Sequence, residues 1–138
     1  MNPQNNPLTS PTSHLSADHR LAFSEVRTRS QQWIADFNRG DVAACVAAYA
    51  PDAIMAVKPT GTFTGIDEIA GFWRSLVASG AGELEYTNTE LDVVDRRTVV
   101  LTADWSMNAG HGVITEERWV KQDDGRWLLE RDAFEIRD

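Results

Sequence analysis

The helical spacing of apolar residues disappears after about Leu84, and no other feature restricts the possible folds as much. Before this point the apolar residues recur at the three- and four-residue intervals of one helix face, as in the run from Phe23 to Phe37. After it, β-branched and aromatic residues occur in short runs separated by turn-forming residues. An antiparallel sheet must bury one face, and the preceding helices are available to cover it. The sequence therefore predicts an α+β fold.

Two helices are predicted before residue 51. The first begins at Ser16 or Asp18, either of which can act as its N-cap, and ends at Gly40. The second begins after Asp41, extends through Tyr49 and is stopped by the proline that follows.

A strand and a third helix come next, followed by the rest of the sheet. The strand spans Ala53 to Val57, and a turn at residues 58–61 separates it from a helix that ends near Gly80. Four antiparallel strands follow, divided by turns at residues 95–96, 110–112 and 123–125.

The chain is predicted to contain one domain, at residues 16–138, preceded by a disordered tail at residues 1–15. The tail holds three prolines among Asn, Ser and Thr, with too few apolar residues to offset the entropy lost on ordering. A chain of 138 residues is long enough to bury a single core.

Composition excludes several classes of function. The net charge of −8 argues against a nucleic-acid partner, because a polyanion would be repelled. There is no run of about 18 unbroken apolar residues to cross a membrane, and no apolar leader that would predict secretion. The single Cys45 reads as a small buried hydrophobe, which favours a reducing, cytoplasmic compartment. The three histidines share no metal-ligand spacing, so neither a metal nor a cofactor is expected.

Three stretches resemble the nuclear-transport-factor-2-like superfamily, in particular its SnoaL-like and ketosteroid-isomerase-like domains. They are WIADFNRGD at 33–41 leading to YAPDA at 49–53, GTFTGIDEI at 61–69, and DGRW at 124–127 followed by Asp132. Together they extend over nearly all of the chain after residue 20. The resemblance implies a cone-shaped fold, with three N-terminal helices packed in the concave face of a curved, mostly antiparallel sheet.

The resemblance also bears on function, without deciding it. Steroid isomerases, polyketide cyclases and small hydratases use the pocket of this fold, and other members have no known catalysis, so fold alone does not define function. Where the steroid isomerases carry a base aspartate before a proline, this chain has Lys58, and where they carry an oxyanion-binding tyrosine it has Trp33. Ketosteroid isomerisation is therefore not expected.

The register of the last hairpin decides which charged residues become neighbours. A two-residue loop at 124–125 would set Glu117 against Asp132. A three-residue loop at 123–125, with its glycine in the left-handed conformation, gives chemically better pairs and is favoured. Those pairs are Ile114 with Phe134, Arg118 with Glu130, Trp119 with Leu129, and Val120 with Leu128.

The favoured register sets Glu116 across from Asp132 on an apolar face, with Trp105 beside Glu116 if residues 110–111 form the preceding turn. Two carboxylates on an apolar wall should have at least one raised pKa, through desolvation and like-charge repulsion. Glu116 and Asp132 are therefore the predicted acid–base residues. The resembling polyketide cyclases carry a working aspartate on the equivalent last strand. Alternatively, Arg118 neutralises both acids in a structural salt-bridge cluster.

Several further residues are predicted to line the pocket, although their spacing is equally that of core residues. Tyr49 is singled out, because a buried hydroxyl needs a partner and could meet a ligand oxygen. The predicted ligand-binding residues are Trp33, Tyr49, Met55, Trp73, Trp105 and Arg118.

Two functions are carried forward. The first is cofactor-free acid–base chemistry, such as isomerisation, cyclisation or hydration, on an apolar small molecule with a carbonyl group. The second is a non-catalytic ligand-binding or assembly domain. In either case a homodimer is expected, because Val113, Trp119 and Leu129 are predicted on the outer face of the sheet, through which the resembling proteins usually pair.

Overall fold

The protein is described by a computed structural model over residues 16–138, and the tail predicted at residues 1–15 lies outside the described residues. The predicted α+β cone fold is confirmed. Its helices are α1 (Ala17–Asn38), α2 (Val42–Val46) and α3 (Gly65–Ala78), and its strands are β1 (Tyr49–Lys58), β2 (Gly61–Thr64), β3 (Glu85–Asp95), β4 (Thr98–Met107), β5 (Gly110–Lys121) and β6 (Trp127–Arg137).

The six strands form one sheet in the order β2-β1-β6-β5-β4-β3. Strand β1 runs parallel to β6, and every other neighbouring pair is antiparallel. The three helices pack in the concave face of the sheet, and the core lies between the two layers. Core residues that are almost fully buried include Phe37, Met55, Ile69, Leu101 and Trp119. No helix in residues 16–138 is long and apolar enough to cross a membrane.

The ends of the first two helices follow from local capping. The Ser16 side chain accepts a hydrogen bond from the His19 backbone N–H at 3.1 Å, so Ser16 is the N-cap of α1. The Asp41 side chain accepts one from Ala44 N–H at 3.0 Å and caps α2. Between them Gly40 has a φ of 78°, a left-handed conformation that glycine adopts without strain.

The prediction that Tyr49 belongs to the second helix is wrong. Helix α2 ends at Val46, and Tyr49 begins β1, where it pairs with Leu129 of β6. The register of β1 against β6 shifts between Tyr49 and Ile54, and the irregularity accommodates Pro51, which lacks a backbone N–H to donate. Strand β2 was missed altogether, because residues 61–64 are extended only through their pairing with β1.

The turn between β4 and β5 was predicted at residues 110–112 and lies instead at residues 108–109. Asn108 holds it there. Its side chain donates to the Gly80 carbonyl at 3.0 Å and accepts from the Gly82 N–H at 2.9 Å, which ties the turn to the end of the α3–β3 connection.

The position of this turn changes the partner of Trp105. Trp105 pairs across the strands with Gly112, so the prediction that it lies beside Glu116 is wrong. A β-carbon added to Gly112 would lie 2.8 Å from Trp105 Cζ2 and would also collide with the Glu135 carbonyl. The indole ring therefore lies over a position that must stay without a side chain.

The last hairpin contains two β-bulges that offset each other. Val120 pairs with Leu128 as the three-residue loop predicts, and Gly125 has the expected left-handed φ of 91°. Glu130 of β6 and Thr115 of β5 have no partner across this hairpin. In the segment between these two positions, the pairing of β5 with β6 is shifted by one residue. Beyond the second bulge the predicted register returns, with Ile114 opposite Phe134.

Between the two bulges, the observed pairs differ from the predicted ones. Glu117, not Glu116, lies opposite Asp132, and Arg118 lies opposite Arg131, not Glu130. The predicted pair of Trp119 with Leu129 is confirmed, but both residues face the interior, where they are 1% and 2% exposed. The reason for expecting them on an outer, dimer-forming face is therefore lost.

Candidate functional site

A cavity of about 110 Å³ lies between the helices and the inner face of the sheet. Its volume is several times the roughly 30 Å³ share of one water molecule and close to that of apolar cavities that admit benzene. Its walls are mainly aromatic and aliphatic, with Trp33 and Trp73 in edge-to-face contact at 5.1 Å between ring centroids. The acidic residues in its lining are Glu117 and Asp132.

Asp132 is 5% exposed and is held by a tyrosine from β1. Tyr49 Oη donates to Asp132 Oδ2 at 2.6 Å, and Tyr49 Oη in turn accepts from Trp73 Nε1 at 3.1 Å. The single hydroxyl proton of Tyr49 is thus committed to Asp132. Desolvation raises the pKa of Asp132 to about 6, and the hydrogen bond from Tyr49 opposes this shift.

Glu117 is 4% exposed and accepts a hydrogen bond at each carboxyl oxygen. Tyr86 Oη donates to Oε2 at 2.7 Å, and Trp119 Nε1 donates to Oε1 at 3.0 Å. Desolvation, followed by the charge of Asp132, raises the pKa of Glu117 to about 8, while the two hydrogen bonds lower it.

Near neutral pH the two carboxyl groups therefore differ in their tendency to ionise. Asp132, with the lower pKa, is the group that ionises first, and its charge helps to keep the proton on Glu117. Asp132 Oδ1 receives no hydrogen bond within residues 16–138 and, unlike a fully enclosed atom, keeps some accessible surface, so it is the oxygen free to accept a proton. This arrangement of neighbouring carboxyls with separated pKa values is one that proton-transfer catalysis uses.

Glu116 lies on the opposite face of the sheet and does not share a wall with Asp132. It forms ion pairs with Arg118 at 2.8 Å and Arg131 at 3.3 Å. The predicted pairing of Glu116 with Asp132 is therefore wrong, because the bulge at Thr115 reverses which side chains of β5 face inward. Arg118 neutralises Glu116 on this outer face and does not line the cavity, contrary to its predicted place in the pocket.

The other predicted ligand-binding residues lie in or behind the cavity wall. Trp33, Trp73 and Trp105 line it. Tyr49 bonds Asp132 rather than a ligand oxygen, and Met55 lies behind it, with its sulfur 3.9 Å from Tyr49 Oη. Whether any of them binds a ligand stays a prediction.

Sequence reasoning missed Glu117 and its two donors. Glu117 did appear as the partner of Asp132 in the two-residue-loop register, which was the less favoured one. Tyr86 carried no signal, since a tyrosine in a strand is ordinary, and Trp119 was assigned to the outer face. The bulges of the β5–β6 hairpin place Glu117 and Trp119 inside, and these bulges have no signature in the sequence.

No group of three or more His, Cys, Asp or Glu side chains that could hold a metal ion occurs in the part of the chain that the structure describes. Cys45 is 1% exposed, and burial raises the pKa of its thiol to about 12, so it stays protonated and unreactive.

Comparison with known proteins identifies the family. Residues 30–130 match the profile of the SnoaL-like domain. No curated protein sequence matches the chain.

Solved structures share the fold at low sequence identity. A proposed scytalone dehydratase from Novosphingobium aromaticivorans is 12% identical, with a TM-score of 0.77 over 90% of this chain and 89% of that chain. A ketosteroid isomerase-like protein from Erwinia carotovora atroseptica is 17% identical, with a TM-score of 0.68 over 83% and 95% of the two chains. ActVI-ORFA from Streptomyces coelicolor is 12% identical, with a TM-score of 0.69 over 83% and 96%. With the profile matching most of its length, the chain belongs to the SnoaL-like domain family of the nuclear-transport-factor-2-like superfamily.

Proposed function

We propose that the protein binds a small, largely apolar carbonyl compound in the cavity and performs acid–base chemistry on it without a cofactor. The observation that carries this proposal is the pair of buried carboxyl groups, Glu117 and Asp132, opposite each other in the wall of an apolar cavity. Burying two acids without a cationic partner is unfavourable, and perturbed acids in a cleft are characteristic of functional sites.

The two acids would have distinct roles. Asp132, through its free Oδ1, removes a proton from the carbon next to the carbonyl, and Glu117 gives its proton to the carbonyl oxygen, which yields an enol. Where the enol is conjugated with a carbon–carbon double bond, return of the proton from Asp132 to a more distant carbon gives isomerisation. Attack of the enol carbon on a second carbonyl, whose oxygen takes the proton from Asp132, gives cyclisation. A β-hydroxyl group that leaves as water with the proton from Asp132 gives dehydration, and in each case the enol O–H proton returns to Glu117. Burial raises both pKa values, and two buried carboxyl groups opposite each other favour the state with one proton between them near neutral pH, which is the state this chemistry requires.

Structural relatives support this range of reactions. The names of similar structures include a dehydratase and a ketosteroid isomerase-like protein. Those reactions share the removal and return of protons near an oxygen function. The pair of acids in this chain is suited to that common step, and the cavity volume limits the ligand to about the size of a single ring.

The proposal is tested by measuring how fast the α-protons of cyclohexanone exchange with deuterium in D₂O. The exchange rate is given by the rate at which their ¹H NMR signal disappears. The protein is expected to accelerate exchange above the buffer rate. Asp132→Asn and Glu117→Gln should each lower this acceleration by about 10²–10⁴-fold, because general acid or base catalysis contributes that much.

Glu116→Gln is the matched control. It changes the adjacent acid on the outer face, where Glu116 pairs with Arg118, and should leave the exchange rate unchanged. Equal rates for Asp132→Asn and the unmodified protein would contradict the proposal. Binding of cyclohexanone with no acceleration of exchange would instead favour the non-catalytic ligand-binding alternative.

A cytoplasmic location and a homodimer stay predictions.

A further inference from the structure

Trp105 has a buried indole N–H with no partner. Trp105 is 8% exposed, and its Nε1 is the only enclosed side-chain nitrogen or oxygen in residues 16–138 that lacks a hydrogen bond. The other tryptophans all have one: Trp33 donates to the Cys45 carbonyl, Trp73 to Tyr49, Trp119 to Glu117 and Trp127 to Glu25. A buried hydrogen-bond donor that has no acceptor is unfavourable. The one unpaired indole N–H, in the cavity wall, therefore needs an explanation.

The ring is held in place rather than loosely packed. It lies over Gly112, where any side chain would collide with it, and makes an edge-to-face contact with Phe134 at 6.2 Å between centroids. Ile136, on the other side of Gly112, is 42% exposed, so it can move outward to admit a ligand atom to the indole edge.

Trp105 and the carboxyl pair lie at different ends of the cavity. Leu101 of β4 is opposite Glu117, whereas Trp105 is opposite Gly112, so the two cross-strand rows are four residues apart along β4. At about 3.3 Å per residue this is about 13 Å between α-carbons. The Glu117 side chain shortens the gap on its side, because it accepts from Tyr86 Oη at 2.7 Å and Tyr86 is the other cross-strand partner of Trp105. On the β6 side the ring of Phe134 stands between Trp105 and Asp132, so one ligand oxygen is not expected to bond both.

We propose that Trp105 Nε1 donates a hydrogen bond to a second oxygen of the ligand, so that the molecule bound here is a small ring carrying an acceptor at each end. Two hydrogen bonds of about 3 Å each leave at most about 7 Å between the two ligand oxygens, and a six-membered ring with oxygens at opposite positions, about 5 Å apart, fits within this span. The binding part of the proposed function is assumed, and the second acceptor is the added feature.

The test compares 1,4-cyclohexanedione with 4-methylenecyclohexanone, which has nearly the same size and shape but lacks the second oxygen. In Trp105→Phe, which keeps an aromatic ring and removes the N–H, the dissociation constant of the dione should rise by about three- to tenfold. That of 4-methylenecyclohexanone should not change.

A direct readout comes from the unmodified protein. The indole ¹H–¹⁵N signal of Trp105, assigned by its absence in Trp105→Phe, should move downfield on saturation with the dione but not with 4-methylenecyclohexanone. The signal of Trp127, which is bonded to Glu25 and does not line the cavity, serves as the reference. An unmoved Trp105 signal, or equal weakening of both compounds in Trp105→Phe, would overturn the inference.

The outcomes separate this inference from the catalytic proposal. If Trp105→Phe weakens binding of the dione alone and the protein does not accelerate α-proton exchange, the role of Trp105 is supported and catalysis is contradicted. Exchange that depends on Asp132, with no effect of Trp105→Phe on binding, would support catalysis and overturn the second acceptor. If neither compound binds at millimolar concentration, both ideas are wrong.

Discussion

Tyr49 and Tyr86 hold two different acids in the same way, and the acids nevertheless differ in pKa. Each tyrosine donates a short hydrogen bond to one carboxyl oxygen, which lowers the pKa of that carboxyl. Both carboxyls are desolvated, but the pKa of Glu117 is raised further, because the charge of Asp132 adds to the effect of burial. The proposed acid and base roles therefore rest on the order in which two coupled groups ionise.

The raised pKa of Glu117 predicts a specific dependence of stability on pH. A carboxyl whose folded-state pKa lies above its unfolded value favours folding below the unfolded pKa, and that contribution is lost as the pH rises through the folded pKa. For Glu117 the loss extends from about pH 4.5 to about pH 8. Glu117→Gln does not titrate, so its free energy of unfolding relative to the unmodified protein should increase over this range by on the order of a few kcal/mol.

Urea unfolding at pH 5, 7 and 9 measures this difference. The amide of Glu117→Gln can accept from Trp119 and donate to Tyr86, whose hydroxyl can turn round, so the substitution should be accommodated. Asp132→Asn is the internal comparison and should show a smaller increase, since the pKa of Asp132 is raised only to about 6. A free-energy difference for Glu117→Gln that is constant with pH would contradict the assignment.

At the scale of the elements, the two bulges of the β5–β6 hairpin decide what faces the cavity. Bulges bend a strand and increase its twist, and here they also turn Glu117 inward while Ile114 stays inward. Because Thr115 has no partner in either neighbouring strand, its removal would leave the pairs on both sides intact.

Deletion of Thr115 should therefore give a folded protein with a flatter hairpin and an impaired site. The variant is expected to unfold cooperatively and to keep the far-UV circular dichroism spectrum of the unmodified protein. Its rate of α-proton exchange should fall by at least tenfold, since displacing a catalytic group by about 1 Å can lower a rate by a factor of about 100. Thr115→Ala keeps the bulge and removes only the hydrogen bond to the Ala133 carbonyl, so it should retain the exchange rate. Loss of folding, or full exchange activity in the deletion, would show that the bulge does not have this role.

The same bulges mark the limit of what the sequence predicts. Helix starts were predicted because caps such as Ser16 and Asp41 act on N–H groups three residues away. The loop at 123–125 was likewise read from a local signal, the left-handed Gly125. Strand β2 and the pairing of Glu117 depend on contacts with distant parts of the chain, and no local pattern encodes them. Asp132 was correctly placed on an inward position, while its neighbour was not.

At the scale of the whole molecule, the distribution of charge bears on association. The chain carries a net charge of −8, so two copies repel each other over most of their surfaces. The outer face of the sheet is an exception, because Arg118 and Arg131 lie side by side there with Glu116 as their shared partner. Near them Ile54 of β1 is 37% exposed. This part of the face therefore has its acidic charge paired with arginines, beside exposed apolar surface.

A homodimer paired through this face is the prediction at this scale, and Ile54→Lys should disrupt it. Light scattering at micromolar concentration should give twice the chain mass of 15.4 kDa for the unmodified protein and 15.4 kDa for Ile54→Lys, because an added lysine would be buried without a partner. Val94→Lys is the matched control. Val94 lies on the edge strand β3 and is 52% exposed, so the same substitution there should leave the mass unchanged. A mass of 15.4 kDa for the unmodified protein would rule out the dimer, and equal disruption by both variants would place the contact elsewhere.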